Sequence, residues 1–370
     1  MESGGLLERE RDLARLRGLV DDAAGGRFRM GLVEGAAGSG KSVLLSALGV
    51  HAEYRGSRVL RACGLELERA CPFGVVRQLF EPAVAELEPS VRDEVFAGAA
   101  ALAKPLLGGN AGLLLGNVMP DGGFSLLHGV YWVLVGLCEL GPVLLVVDDL
   151  QWCDAPSLRF LAFAVKRADE LPLLVAVARR EADVDEASDP LFPATGRDVS
   201  VIRPAPLSAD AIGTVLEEAV GFRLDEDVVA EAQRLTEGNP LYLRELAETL
   251  RDGAGDGDEE PMARLQRAAP AAIDHRVRRA LAALDATARA VARAAAVLGD
   301  EVPLRHAAAV AGAEPQDAVR AADVLARARI FAVGEPLWFR HPLVPRGCAR
   351  VARATGSCRC SRPGGERVDR

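Results

Sequence analysis

The sequence predicts an α/β fold, in which a parallel sheet with helices on both faces is followed by a helical domain and a winged-helix-like domain. The first observation is that short apolar runs, suited to strands buried on both faces, alternate with segments of helical periodicity. These runs are Met30–Val33, Arg58–Cys63, Val143–Val147, Leu173–Ala178 and Val199–Ile202. The second is composition: 49% of the 370 residues are hydrophobic and only 5% are aromatic, which favours helices and a buried parallel sheet over a β-sandwich.

A glycine-rich segment lies between the first predicted strand and a predicted helix, a context that disfavours a chance match to a motif. Gly35–Ser42 reads Gly-Ala-Ala-Gly-Ser-Gly-Lys-Ser and fits G-x-x-x-x-G-K-[ST], the pattern of a phosphate loop. Glycines let backbone N–H groups converge on phosphates, which a Cβ would crowd. Lys41 would bring positive charge to the β- and γ-phosphates of ATP, and the Ser42 hydroxyl would ligate Mg²⁺. The predicted nucleotide-binding residues of this loop are Gly35, Ala36, Ala37, Gly38, Ser39, Gly40, Lys41 and Ser42.

Two acidic residues, Asp148 and Asp149, follow the apolar run Val143–Val147. Ligands bind at the carboxyl ends of the strands in open α/β sheets, which is where this pair would lie. Asp148 is predicted to hold Mg²⁺, directly or through water. Asp149 would polarise the attacking water if the protein hydrolyses ATP. An aspartate pair that merely begins a loop is the alternative, which the preceding buried strand and the upstream phosphate loop disfavour.

The string Asp148–Asp154, D-D-L-Q-W-C-D, resembles the D-D-x-x-W-x-D segment of STAND signalling ATPases, especially the large ATP-binding LuxR-type bacterial regulators. The resemblance extends over roughly residues 6–345. It implies a P-loop NTPase fold that binds ATP or ADP with Mg²⁺. It also implies a switch that ATP holds in an open, signalling and self-associating state, and an inducer that the sequence does not identify. A mechanical AAA+-type ring ATPase, a small-molecule kinase and a nucleotide-binding remnant without output remain alternatives.

The resemblance also implies roles for residues outside the phosphate loop. Leu7-Glu8-Arg9-Glu10 resembles the G-R-E opening motif, so Arg9 and Glu10 would lie near the adenine, although Glu8 replaces the glycine. Arg179, at the end of a predicted strand, would sense the γ-phosphate, unless it is simply a solvent-facing arginine. Pro240, in a G-x-P segment, would lie against the adenine, and His341 would lie near the phosphates. Asp154 is predicted only to cap the helix that follows it.

Composition shifts divide the chain into five predicted segments. They are a P-loop ATPase domain (1–205), a helical domain (206–252), an acidic glycine-rich linker (253–262), a winged-helix-like domain (263–345) and an irregular tail (346–370). The winged-helix prediction rests on helical periodicity followed by a hairpin-like end. The tail has arginines without periodicity, where the family would continue into helical repeats and a helix-turn-helix, and we interpret it as truncated or frame-shifted.

The net charge and the cysteine content limit which partners and which cellular compartment we expect. The net charge of −9 argues against affinity of the whole chain for DNA or acidic membranes, and we expect no specific DNA binding from this chain. The seven cysteines show no zinc-site spacing, and the first residues lack a basic and apolar leader, so we expect a cytoplasmic protein.

Two largely apolar segments have alternative interpretations. The run Phe124–Val147 is long enough to suggest a membrane span, but Gly141-Pro142 breaks it, which predicts a buried helix (Phe124–Leu140) and then a strand. The segment Phe73–Leu87 is predicted to be helical, with Pro82 kinking or dividing it.

Overall fold

The structure is a computed structural model, and it describes most of the chain. The described residues are 7–108, 123–180, 199–252, 262–263, 265, 280–282, 284–299, 301–328, 330–331 and 336–339. The chain divides into two compact units, Met1–Leu207 and Ser208–Arg370.

The first unit contains a five-stranded sheet in which every pair of neighbours is parallel. The strands are β1 (Arg29–Glu34), β2 (Arg58–Cys63), β3 (Val143–Asp148), β4 (Leu173–Arg179) and β5 (Val199–Ile202). Their order in the sheet is β2-β3-β4-β1-β5. The predicted α/β class with a parallel sheet is therefore confirmed. Because β4 lies between β1 and β3, its carboxyl end is flanked by the phosphate loop on one side and by the aspartate pair on the other.

Helices cover both faces of this sheet. They are α1 (Glu10–Ala24), α2 (Lys41–Tyr54), α3 (Gly74–Ala85), α4 (Pro89–Val95), α5 (Lys104–Leu107), α6 (Phe124–Glu139) and α7 (Ala155–Val165). Alternation along β3 shows how the two faces are filled. Leu144 and Val146 pack with α1 and α2, whereas Val143, Leu145 and Val147 pack with α3, α6 and α7. Because both faces are buried, successive residues of the strand must all be apolar, which explains the continuous apolar run.

The long apolar segment folds as predicted, into the buried helix α6 followed by strand β3. Val130, Val133, Leu134 and Leu137 of α6 are fully buried in the core of the first unit. None of the described helices is long and apolar enough to cross a membrane.

The helix predicted over Phe73–Leu87 is present as α3. It runs from Gly74 to Ala85 with Pro82 inside it, so Pro82 does not divide the helix, and the alternative of a kink at Pro82 stays a prediction. A proline costs a helix one backbone hydrogen bond and some crowding of the preceding turn. Here Leu79 and Phe80 before the proline, and Ala83 and Val84 after it, are all buried in the same core, and that packing offsets the cost.

The second unit is helical over its described residues. It contains α8 (Ala209–Val220), α9 (Glu226–Thr236), α10 (Pro240–Asp252), α11 (Ala286–Leu298), α12 (Leu304–Ala311) and α13 (Pro315–Arg327). Ser208 caps α8, since its hydroxyl accepts a hydrogen bond from the N–H of Ala211 (3.3 Å). Two isolated antiparallel bridges, Val302 with Leu337 and Phe331 with Phe339, accompany α11 to α13. A winged-helix-like domain over 263–345 stays a prediction. The predicted irregular tail, 346–370, lies outside the described residues.

Candidate nucleotide-binding site

The phosphate loop connects the end of β1 to the start of α2. Gly38 (φ 80°) and Gly40 (φ 94°) adopt left-handed backbone conformations, which cost a glycine little and most other residues much more. Helix α2 begins at Lys41, so its first N–H groups, which have no partner within the helix, face the loop. A helix N-terminus at a glycine-rich loop is a ready-made site for phosphate.

Lys41 is held inside the loop. Its side chain is buried (7% exposed), and its ammonium donates to the carbonyl oxygens of Gly35 (3.1 Å) and Ala36 (2.9 Å). A buried ammonium needs such acceptors, because desolvation without them is costly. The positive charge of Lys41 therefore lies inside the loop, where the sequence predicts that the β- and γ-phosphates bind.

The interior of the loop has room for glycine and little else at its first position. A Cβ at residue 35 would lie 2.8 Å from the hydroxyl oxygen of Ser39, so any other residue there would require the Ser39 side chain to move. That Ser39 hydroxyl is shielded from solvent and has no hydrogen-bond partner among the described residues. A loop that keeps a glycine cradle and an unused hydroxyl donor fits a phosphate group.

Arg9 also contacts the phosphate loop. It directly precedes α1, is buried, and donates from Nη2 to the carbonyl oxygen of Ser39 (3.4 Å) and from Nη1 to that of Glu8 (3.1 Å). Burial lowers the pKa of Arg9, and the nearby carboxylates of Asp12, Glu8 and Glu10 oppose that shift. The structure thus brings Arg9 to the phosphate loop, whereas Glu10 is the exposed first residue of α1.

Asp148 and Asp149 form a tight turn at the end of β3. Asp149 has a left-handed backbone (φ 47°, ψ 49°), and its N–H donates to Oδ1 of Asp148 (2.8 Å). The chain leaving β2 packs on this turn: the N–H of Gly64 donates to the carbonyl oxygen of Asp148 (2.9 Å). A Cβ at residue 64 would lie 2.5 Å from the carbonyl oxygen of Asp149, so glycine is required there.

Gln151 fixes the carboxylate of Asp149. Its Nε2 donates to Oδ1 of Asp149 (2.7 Å), and its Oε1 accepts from the N–H of Arg180 (3.3 Å). One side-chain amide therefore links the aspartate turn to the segment that follows β4. Sequence reasoning missed this residue, although its place inside D-D-L-Q-W was a usable signal.

Arg179 ends β4 in register with Glu34, the last residue of β1. Its Nε donates to Oε1 of Glu34 (2.7 Å), and Arg203 Nη2 donates to the other oxygen, Oε2 (2.7 Å). Arg179 is buried rather than solvent-facing, so the alternative of a simple surface arginine is wrong. Sequence reasoning missed both Glu34 and Arg203; the signal for Glu34 was a lone acid between an apolar strand and the phosphate loop.

Comparison with known proteins agrees with this geometry. Residues 5–176 match the family model described as the AAA ATPase domain. These residues form an AAA-like P-loop ATPase domain. An uncharacterized protein of Rhizobium meliloti (strain 1021) is 26% identical over 328 residues, which cover 81% of this chain. The chain spans only 30% of that relative's length.

Solved structures resemble the chain over nearly its whole length. A Walker-type ATPase of Pyrococcus abyssi superposes with a TM-score of 0.53 at 17% identity, covering 92% of this chain and 95% of that one. The Orc1 protein of Aeropyrum pernix, solved in complex with DNA, gives a TM-score of 0.50 at 17% identity and covers 94% of each chain. At this level of identity, the likeness shows the fold alone.

Asp154 of the ATPase domain has a structural role, as predicted. Its Oδ1 accepts from the N–H of Ser157 (2.9 Å) at the start of α7, which makes it the N-cap of that helix. The same carboxylate also accepts from the N–H groups of Phe73 (2.8 Å) and Val75 (3.2 Å) at the start of α3. One buried acid therefore caps two helices, a role that the sequence alone did not indicate.

The predicted metal ligands lie on the two elements that frame the candidate nucleotide-binding site. Ser42 is in the first turn of α2, and Asp148 is at the end of β3. Among the described residues, no group of three or more His, Cys, Asp and Glu side chains could hold a metal by itself. Mg²⁺ binding by Ser42 and Asp148 stays a prediction.

The remaining predicted ligands lie in the second unit or outside the described residues. Pro240 begins α10, where the side-chain oxygen of Asn239 accepts from the N–H of Leu241 (3.0 Å). Its contact with adenine stays a prediction. His341 lies outside the described residues, so its predicted place near the phosphates also stays a prediction.

Proposed function

We propose that this chain is an ATP-binding, slowly ATP-hydrolysing switch module of a LuxR-type transcriptional regulator. The observation that carries the proposal is the frame around the end of β4. The phosphate loop with Lys41 lies on the β1 side, and Asp148 and Asp149 lie on the β3 side. This is the arrangement that phosphoryl transfer to water needs, since its chemistry is mostly positioning and charge stabilisation.

Each residue of the frame has a defined task in this proposal. Bound ATP would supply the phosphoryl group that is transferred, and Mg²⁺ would supply positive charge next to the phosphates. Lys41 would neutralise β- and γ-phosphate oxygens, while Ser42 and Asp148 would hold Mg²⁺. Asp149 accepts a hydrogen bond from the attacking water, and Gln151 keeps the carboxylate of Asp149 in place.

The finer assignment to a LuxR-type switch is supported by D-D-L-Q-W-C-D together with a helical second unit. A mechanical AAA+-type ATPase is the second candidate, because the AAA ATPase domain match is equally consistent with it. Such an enzyme needs an arginine supplied by a neighbouring subunit, so it would assemble into rings. Electron microscopy with ATP separates the two: closed rings favour the mechanical enzyme, and their absence favours the switch.

DNA binding is a separate part of the proposal. We propose that these residues bind ATP but no specific DNA, because the net charge is −9 and sequence readout needs a positioned recognition helix. The Orc1 structure contains DNA, but its likeness to this chain concerns the fold. A footprint on a promoter that survives physiological salt and competitor DNA would contradict the proposal.

The test of the proposed function is the nucleotide content of the purified protein. Denaturation followed by chromatography should release ADP or ATP, and added ATP with Mg²⁺ should turn over slowly to ADP and phosphate. The matched control is the Lys41→Ala variant purified in parallel, which should carry little or no nucleotide. A wild-type protein that releases no nucleotide and binds none would refute the proposal.

A further inference from the structure

A buried carboxylate lies between the phosphate loop and the end of β4. Glu34 directly precedes Gly35, and its side chain is only 6% exposed. Its Oε1 accepts from both Nε (2.7 Å) and Nη2 (2.5 Å) of Arg179, while its Oε2 accepts from Nη2 of Arg203 (2.7 Å). The two arginines differ in setting, because the side chain of Arg179 is 9% exposed and that of Arg203 is 62% exposed.

Arg179 is held at the centre of the proposed ATPase site. Its carbonyl oxygen accepts from the N–H of Gly35 (3.4 Å), at the start of the phosphate loop. The next residue, Arg180, donates its N–H to Gln151, whose amide holds Asp149. The backbone around Arg179 is therefore tied to both halves of the site, and its guanidinium is the part that can change partners.

We infer that Glu34 competes with the γ-phosphate of bound ATP for Arg179 and thereby sets the preference of the site for ATP over ADP. This inference rests on the proposed function, since it concerns the same site. ADP presents no γ-phosphate, so Arg179 stays on Glu34. ATP presents a terminal phosphate with more than one negative charge, to which arginine binds strongly and often bidentately.

Arg203 allows Arg179 to leave Glu34 for the γ-phosphate. A buried carboxylate that loses its partner is strongly destabilising, because its charge is left unpaired away from water. When Arg179 turns to the γ-phosphate, Arg203 remains on Oε2, so Glu34 is never left unpaired. Arg203 is mostly exposed, so it can adjust its position at little packing cost.

The two side chains should therefore affect nucleotide preference in opposite directions. Glu34→Gln keeps the shape but removes the competing charge, so ATP should gain relative to ADP. Arg203→Ala makes release of Arg179 costlier, so ATP should lose relative to ADP. A residue that only stabilised the fold would shift both nucleotides together.

The experiment measures dissociation constants of the full chain for the magnesium complexes of ADP and of AMP-PNP, a non-hydrolysable ATP analogue, by titration calorimetry. The readout is the ratio Kd(ADP)/Kd(AMP-PNP). Loss of one charge-assisted contact changes affinity by about tenfold, so Glu34→Gln should raise the ratio by about that factor. Arg203→Ala should lower it about threefold, because solvent screens an exposed arginine.

Two further variants complete the design. Arg55→Ala removes an exposed arginine paired with Asp21 at the far end of α2 and should leave the ratio unchanged. Adding Arg179→Ala to Glu34→Gln should cancel the gain, because the shared arginine is gone. If Glu34→Gln does not fold, the surface variant Arg203→Ala still decides the sign.

The outcomes separate this inference from the proposed function. If the wild type binds neither nucleotide, the proposed function fails and this inference fails with it. If the wild type binds both, but Glu34→Gln and Arg203→Ala shift ADP and AMP-PNP equally, only the inference is overturned. Shifts of opposite sign that vanish with Arg179→Ala support it.

Discussion

Replacing Asp154 by alanine should destabilise the ATPase domain far more than removal of an ordinary surface acid. The carboxylate is 3% exposed and accepts three backbone hydrogen bonds, from Phe73 (2.8 Å), Val75 (3.2 Å) and Ser157 (2.9 Å). Each such bond contributes about 1 kcal/mol, and a buried donor left unsatisfied costs about 1–3 kcal/mol. Water that enters the space recovers part of this, so we expect a total loss of about 3–4 kcal/mol in the free energy of unfolding.

The assay is urea unfolding followed by tryptophan fluorescence. Of the three tryptophans, Trp132 and Trp152 belong to the first compact unit and Trp338 to the second. A Trp338→Phe background therefore restricts the signal to the ATPase domain. In that background, the midpoint and slope give the free energy of unfolding of this unit.

Two comparison variants make the Asp154 prediction specific. Asp21→Ala also replaces an aspartate, but that aspartate forms one exposed ion pair with Arg55, so its loss should cost at most about 1 kcal/mol. Asp154→Ser can still cap α7 while losing the bonds to α3, so it should fall between wild type and Asp154→Ala. If Asp154→Ala and Asp21→Ala are equally stable, the double-capping role is refuted.

Three further predictions concern ligand binding, hydrolysis and pH. Lys41→Ala should abolish the ATP-induced rise in melting temperature. With ATP at about a thousand times its Kd, the free energy of unfolding of the wild type should rise by about 4 kcal/mol. Equal thermal shifts for the two proteins would contradict the phosphate-loop role. Asp149→Asn should bind ATP but turn it over more slowly than the wild type in a phosphate-release assay, while Asp148→Asn should also weaken Mg²⁺-dependent binding. Wild-type turnover in both variants would contradict the roles proposed for the aspartate pair. Burial, Arg17 and Arg55 lower the pKa of His51 against the opposing effect of Asp21. The folded protein therefore binds fewer protons at this site than the unfolded one, so the contribution of His51 to stability is complete above about pH 6.5 and declines as the pH falls below it. Urea unfolding from pH 7.5 to 5 should show a decline that His51→Gln reduces, and identical pH profiles would contradict the assignment.

Sequence reasoning succeeded where the signal is local. The phosphate loop, the aspartate pair and the N-cap Asp154 each depend on residues within a few positions of one another. The phosphate loop and the aspartate pair also indicate where they lie in the fold, because an apolar strand precedes each of them. Such patterns predict the fold class and the edge of the sheet at which the site lies.

Sequence reasoning failed where partners come from distant segments. Glu34 and Arg179 are 145 residues apart, and Glu34 and Arg203 are 169 apart. Nothing near any of the three indicates that two arginines share one carboxylate. Pro82 shows the same limit in another form, because a local rule against proline was overridden by core residues on both sides of it.

The order of the sheet has a consequence for how the ATPase domain is synthesised. Strand β1 carries the phosphate loop, yet it pairs with β4 and β5 rather than with β2, its neighbour along the chain. A nascent chain that has reached α7 already contains both nucleotide motifs, but β1 still exposes the backbone groups of two unpaired edges. The matched family region, 5–176, stops inside β4 and omits β5. A fragment cut at that boundary would leave the edges of β1 incompletely paired and prone to aggregate, so expression of this domain should continue past Ile202.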